Sequence, residues 1–225
     1  MGQLEAQIQT FYDHLAGHEN LLDPVGLHHE FVNGMHGQKV DFDTVPRYVD
    51  ELNPGSGFDP LYVEWVDINA AFIRSAFPRL PGIILGVANG TNRLAVDVAT
   101  RLELPNPGLE SEKEGKGSKI LVLPARTLAI IQAEKPELVV VTEDVGTTGS
   151  NSVQVATQAL AAGAQNVAVV VTWKRREQLE ELEKAGIEYK AIIDKSLPTF
   201  HAIDCVQTGL YAQGWELIPY KKAQA

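Results

Sequence analysis

Cysteine is almost absent from this chain, methionine occurs twice, and no apolar run approaches the length of a membrane span. A single thiol, Cys205, excludes an internal disulfide framework and fits a reducing cytoplasm. Cations are also in deficit: 19 Lys and Arg face 29 Asp and Glu, giving a net charge of −10 and a pI near 5.1. That balance lacks the basic footprint of a nucleic-acid-binding surface. Met1 to Ala16 carries acids where a signal peptide needs an apolar centre. The expectation is a soluble, cytoplasmic protein with no membrane and no nucleic-acid partner. A length of 225 residues accommodates one large α/β domain over 1–225 with a small appended hood.

Two phosphate-binding signatures are missing as well. Gly115-Lys116-Gly117-Ser118 lacks the earlier glycine and the leading strand of a Walker loop, and no Gly-x-Gly-x-x-Gly follows a strand. What is present is Leu138 to Asn151, LVVVTEDVGTTGSN. An apolar β-branched run leads into two adjacent acids, Glu143 and Asp144, then a turn of small residues, then the helix-like VQVATQALAAGA. The turn Gly146-Thr147-Thr148-Gly149-Ser150 lets the backbone approach a ligand, offers three hydroxyls and aims the unpaired N–H groups of a helix start at one point. A phosphate fits there. Vicinal carboxylates at the carboxyl end of a strand suit the vicinal hydroxyls of a ribose, so the stretch describes a ribose 5-phosphate site.

Elsewhere the pattern alternates strand and helix. Residues 3–17 repeat apolar positions at helical spacing, with Gly17 as the stop. Residues 27–43 read as two short strands about the turn Asn33-Gly34, with His28, His29, His36 and Lys39 crowded around it. Hydrogen bonding to a planar ligand or plain exposure accounts for these histidines better than a metal does, and His14 and His18 lack the glutamate of a zinc helix. After a Pro/Gly loop at 52–60, a packed helix spans 65–77. Residues 82–87 form a buried strand, Ala88-Asn89-Gly90-Thr91-Asn92 a tight turn and 93–102 a helix, a second anion site with Arg93 supplying charge. Residues 105–119 lack apolar periodicity and read as a charged loop, a lid whose Lys113, Lys116 and Lys119 close over a pyrophosphate. Strands are expected at 120–123, 127–131, 166–172 and 189–193, and a helix at 175–185. The fold class is α/β, a doubly wound, mainly parallel sheet with hood elements at 20–50 and 196–225. Phe200, His201, Tyr211 and Trp215 in the tail cap a base or close the core.

The segment from Val139 to Ser150 resembles the phosphoribosyl-pyrophosphate motif of the type I phosphoribosyltransferases, in which apolar residues lead into two acids and a Thr/Gly turn. The resemblance spans about residues 25–195 and is strongest to orotate phosphoribosyltransferases, which share the leading hairpin and the charged loop. It implies transfer of ribose 5-phosphate from phosphoribosyl pyrophosphate to a nucleobase, in pyrimidine nucleotide biosynthesis, with release of pyrophosphate. Glu143 and Asp144 would hold the ribose hydroxyls and Gly146 to Ser150 the 5-phosphate. Asn89, Gly90, Thr91 and Arg93 would form the pyrophosphate loop, Lys39 would touch substrate, and Asp144, Lys113 and Lys116 would be catalytic. Mg²⁺ would bridge pyrophosphate and ribose oxygens beside Asp144, and members commonly pair as homodimers. The chain departs from the family in the hairpin, where Asn33 replaces a serine and the aromatic pair is reduced to Val40 and Phe42. Thr147 stands where 6-oxopurine enzymes place an acid. A purine or another pyrimidine as acceptor, or a regulator that binds without turnover, are the alternatives.

Overall fold

A computed structural model describes residues 2–18, 21–24, 27–31, 35–88, 90–115 and 118–218. The chain opens with helix α1 (Gln3–Gly17), which buries Phe11 and Leu15 as its periodicity requires. Strands β1 (Leu27–Glu30) and β2 (Met35–Gly37) pair antiparallel, and the Asn33-Gly34 turn expected between them lies outside the described residues. Helix α2 (Pro60–Ala76) starts earlier than its apolar pattern indicates. Asp59 caps it, accepting from the N–H groups of Leu61 and Tyr62, and Pro60 fills the first helical position.

Strand β3 (Ile83–Gly86) is followed by α3 (Asn92–Arg101). The charged stretch expected as a loop contains two short strands instead, β4 (Leu109–Glu110) and β5 (Glu112–Lys113), because Leu109 is buried beside β3. β6 (Leu121–Val122) pairs antiparallel with β5. The strand expected at 127–131 is corrected to a helix, α4 (Ala125–Glu134). Its two buried residues, Thr127 and Ile131, stand one helical turn apart, and Lys135 in the left-handed region ends it before Pro136. Then come β7 (Val139–Gly146), α5 (Ser150–Ala161), β8 (Val167–Lys174), α6 (Glu180–Ala185) and β9 (Glu188–Asp194). Helix α6 is shorter than expected, since Arg175 turns back to donate its N–H to Gly146 O at 2.9 Å.

Five strands form one parallel sheet in the order β4-β3-β7-β8-β9. Alternate residues point to opposite faces. Ile84, Val140, Ala168 and Val170 pack with α1, α2 and α3, whereas Ile83, Leu85, Val139, Val141 and Val169 pack with α4, α5 and α6. The core is thus two apolar layers with the sheet between them, the doubly wound arrangement. β3 and β7 are neighbours, yet the helices that follow them, α3 and α5, lie on opposite faces. Such a switch point opens a crevice at the carboxyl ends of its strands. The register leaves β7 running beyond β3, whose last residue Gly86 stands opposite Thr142, so the backbone of Glu143 and Asp144 borders that crevice.

A second, four-stranded sheet has the order β10-β2-β1-β11, with β10 (Thr199–His201) and β11 (Glu216–Ile218) supplied by the tail, and helix α7 (Ala202–Gln207) following β10. The tail aromatics close this sheet's own small core. His28 stacks on Phe200 at 5.6 Å and meets the edge of Trp215 at 4.5 Å, and His36 shares a hydrogen bond of 2.7 Å with Tyr211. His28 and His36 are therefore buried structural residues, whereas His201 is exposed. No helix among the described residues is long and apolar enough to cross a membrane.

Candidate active site

Glu143 and Asp144 are adjacent on β7 and so point to opposite faces of the sheet. Glu143 turns toward α5, is buried, and accepts a hydrogen bond from Ser152 Oγ. Burial pushes its carboxyl up to about 7, reinforced by the Asp144 charge and opposed by the Ser152 bond. Asp144 turns to the other face, where its Oδ1 accepts from the Val145 N–H at 2.7 Å. Its carboxyl is raised to about 6, first by burial and then by the nearby carboxylates of Asp43 and Asp41. A Cβ on Gly90 would lie 2.4 Å from Asp144 Oδ2, so only glycine lets the β3–α3 turn come this close to the acid. Neither acid has a cation beside it among the described residues, an arrangement that calls for hydroxyl donors or a metal from outside.

The turn between β7 and α5 has the form its small residues require. Gly149 has φ +80°, in the left-handed region, and its carbonyl accepts the first helical bond from Val153. The Thr148 carbonyl accepts from the Glu181 N–H, which fixes the turn to α6, while Thr147 and Ser150 are exposed. Among the described residues no protein acceptor pairs with the N–H groups of Gly149, Asn151 or Ser152. Gly146 sits buried at the end of β7 and Thr148 is half-buried. The result is an anion cradle at the positive end of α5.

The second turn is built differently from expectation. Thr91 is buried, and its hydroxyl accepts from the Val87 N–H and donates to Thr142 O at 2.5 Å. It ties the end of β3 to β7 and leaves no group free for a ligand. Arg93 donates to Val45 O at 2.8 Å and lies over the Tyr62 ring, so it fastens the 41–45 segment rather than facing the turn. Gly90 is placed beside Asp144, and Asn89 lies outside the described residues. Ser111, which the sequence reading passed over, shapes this turn together with Asn92. Ser111 Oγ accepts from the Ala88 N–H and donates to Gly86 O, each at 2.8 Å, and the Asn92 amide bonds both backbone groups of Ser111.

Ser111 also launches the hairpin of β5 and β6. Lys113, Ser118 and Lys119 from this hairpin, Ala88 from the β3–α3 turn, and Ser150 and Asn151 from the start of α5 line one cavity of about 360 Å³. The structure thus brings both lysines to the anion cradle. Lys116 lies outside the described residues. Lys39 is in contact with Asp41, whose carboxylate acts on Asp144.

Arg175, just beyond β8, is the residue that sequence reasoning missed. Its side chain is buried, with Nε and Nη2 lacking any partner among the described residues. The guanidinium carbon lies 4.3 Å from the centre of the Phe31 ring, and a Cβ on Gly37 of β2 would lie 2.9 Å from Nη2. Burial, and then the Arg176 charge, lower it to about 10. The available signal was its place at the carboxyl end of a core strand, in Lys174-Arg175-Arg176. A buried guanidinium with two nitrogens unpaired among the described residues is costly unless an anion meets it.

A magnesium ion fits this donor set in one way. No group of three or more His, Cys, Asp or Glu among the described residues gathers as a cage. Mg²⁺ commonly takes only one or two carboxylates and fills its shell with water and phosphate oxygens. Asp144, an oxygen donor without a cationic partner, meets that requirement.

No family model and no curated protein matches this sequence. Solved structures do match. Orotate phosphoribosyltransferase from Aeropyrum pernix aligns over 95% of this chain and 99% of its own at 18% identity, with a TM-score of 0.55. The Mycobacterium tuberculosis orotate phosphoribosyltransferase in complex with inorganic phosphate aligns over 86% and 89% at 14% identity, TM-score 0.51. Adenine phosphoribosyltransferase from Saccharomyces cerevisiae, complexed with an imino-altritol bisphosphate and adenine, aligns over 82% and 99% at 15% identity, TM-score 0.53. The chain therefore has the type I phosphoribosyltransferase fold expected from its motif.

Proposed function

We propose that this protein is a phosphoribosyltransferase that moves ribose 5-phosphate from phosphoribosyl pyrophosphate to a nucleobase bearing a carboxylate, orotate in the first instance. The observation that carries the choice of base is Arg175, a buried guanidinium beneath the hood whose Nε and Nη2 have no partner among the described residues. The fold it shares with orotate and adenine phosphoribosyltransferases supports the reaction class.

In this reading Thr147 to Ser150 and the free N–H groups at the start of α5 hold the 5-phosphate. Glu143 and Asp144 accept from the ribose hydroxyls, and Asp144 would hold Mg²⁺, which would supply charge neutralisation for the departing pyrophosphate. The bond from the anomeric carbon to the pyrophosphate oxygen breaks as the base nitrogen forms its bond to that carbon. Lys113 and Lys119, with Lys116, stabilise the charge that collects on departing pyrophosphate, and the uncovered carboxylate of Asp144 faces the cationic sugar. Arg175 fixes the base through its carboxylate so that the ring nitrogen meets the anomeric carbon. We further propose a single unit with its hood at 20–50 and 196–225, a cytoplasmic homodimer and a place in pyrimidine nucleotide biosynthesis.

The test is pyrophosphate release from phosphoribosyl pyrophosphate and Mg²⁺ with orotate, uracil, adenine, hypoxanthine, guanine and xanthine supplied separately. Release with orotate alone is the expected result. Turnover only with a base lacking a carboxylate removes Arg175 from its role, and silence across the panel with intact ligand binding makes the protein a regulator.

A further inference from the structure

The hairpin bearing Lys113 and Lys119 is held by more than its own two strands. One edge of β6 faces β5, where Lys113 stands opposite Leu121 and the Glu114 N–H donates to Ile120 O at 3.0 Å. The other edge faces a helix. There the Leu121 N–H donates to Gln154 Oε1 at 2.9 Å, the Leu123 N–H donates to Gln158 Oε1 at 2.9 Å, and Gln158 Nε2 donates to Leu121 O at 2.8 Å. Two glutamines one turn apart on α5 reproduce the donors and acceptors of a neighbouring strand. Gln158 Nε2 also donates to Gln154 O at 3.0 Å, which leaves its amide a single orientation.

The same helix begins at Ser150 and Asn151, which close the cavity that Lys113 and Lys119 line. We infer that Gln154 and Gln158 form a latch, positioning residues that keep the lysine hairpin in register with the anion cradle so that its cations meet a pyrophosphate group. The inference rests on the proposed reading of the site. It adds that the grip on pyrophosphate is set in part by the face of α5 turned to β6, where Gln154 lines the cavity and Gln158 stands one turn behind it. Leucine at either position preserves helix propensity and leaves part of the β6 edge unpaired; Gln158 does not line the cavity, so Gln158→Leu isolates the latch, whereas Gln154→Leu also alters the lining.

The experiment is calorimetric titration of the full chain with pyrophosphate and, separately, with ribose 5-phosphate, in wild type, Gln158→Leu, Gln154→Leu and Gln158→Glu. Gln158→Leu is expected to weaken pyrophosphate about tenfold, the scale of the hydrogen bonds removed, and ribose 5-phosphate less than about twofold. Gln158→Glu keeps the acceptor for Leu123 but sets a carboxylate oxygen against the carbonyls of Leu121 and Gln154, so it weakens pyrophosphate at least as much as Gln158→Leu. Amide exchange at Leu121 and Leu123 should quicken while that of β7 does not, which also covers a variant that folds poorly. Equal weakening of both ligands, or faster exchange with unchanged pyrophosphate affinity, overturns the latch and leaves the site reading standing. A wild-type chain that binds neither ligand overturns the site reading and the latch with it, before any substitution is made.

Discussion

Arg175 and Phe31 meet face to ring, the guanidinium carbon 4.3 Å from the ring centre, with Nε and Nη2 buried and without an acceptor among the described residues. The ring offers the cation a polarisable surface without competing for its in-plane donors. A buried cation held this way destabilises the ligand-free protein and favours an anion that can use the fork.

Replacing Arg175 by Met therefore separates stability from recognition. Thermal unfolding of the ligand-free variant is expected at or above the wild-type temperature, because an unpaired buried charge has been removed. The KM for orotate should rise by about a hundredfold, equivalent to losing a charge-assisted pair of roughly 2–3 kcal/mol, while binding of phosphoribosyl pyrophosphate stays near wild type. A variant that loses stability and keeps its orotate KM would show that Arg175 is structural.

Stability should also fall as pH rises through the acid to neutral range. Burial raises Glu143 from 4.5 to about 7 and Asp144 from 3.8 to about 6 in the folded chain. Between those values the folded state holds protons that the unfolded state has released, so deprotonation favours unfolding as pH increases. The loss attributable to Glu143 is on the order of 3 kcal/mol between about pH 4.5 and pH 7, and Glu143→Gln should flatten it. Thermal unfolding against pH, without ligand, reads this directly.

Alanine at position 90 tests the closeness of the two turns. Its Cβ would fall 2.4 Å from Asp144 Oδ2, a separation no real contact allows, so either the turn or the acid must move. Displacement of the carboxylate by about 1 Å is expected to lower kcat by roughly a hundredfold. Loss of global stability should be modest, since the β3–α3 turn is anchored independently by Thr91 and Ser111. Steady-state kinetics beside circular dichroism distinguish the two effects.

How much of this was legible in the sequence follows from the range of each interaction. The acid pair, the Gly149 turn and the start of α5 are contiguous, and Glu143 meets Ser152 only nine residues on, so local pattern was sufficient to find them. Thr91 was read as part of an anion-binding turn because a small turn between strand and helix offers backbone N–H groups and resembles the family's pyrophosphate loop. Its actual acceptor, Thr142 O, lies on another strand, and only the β3–β7 register brings it near. Arg175 was missed for the same reason, since Phe31 and Gly37 reach it from the opposite end of the chain. At 127–131 an apolar run of strand length belongs to a helix, where the neighbouring Ala, Gln and Glu favour that form and one face alone is buried.

Asp144→Asn joins the threads in one variant. The carboxylate sits in the field of Asp41 and Asp43, touches the Gly90 turn and has no cationic neighbour among the described residues, so its charge is unfavourable in the empty protein. Asparagine keeps the shape and the acceptor for the Val145 N–H while removing that charge. The ligand-free variant should therefore melt a few degrees higher at pH 7.5, as expected for relief of about 1 kcal/mol in a chain of this size. Turnover should drop at least about a thousandfold, because the group facing the cationic sugar and the metal is lost. An uncompensated acid that costs its own protein stability is the behaviour of a residue kept for chemistry. An asparagine variant that is both less stable and still active would make Asp144 a structural acid and return the active-site assignment to Glu143 alone.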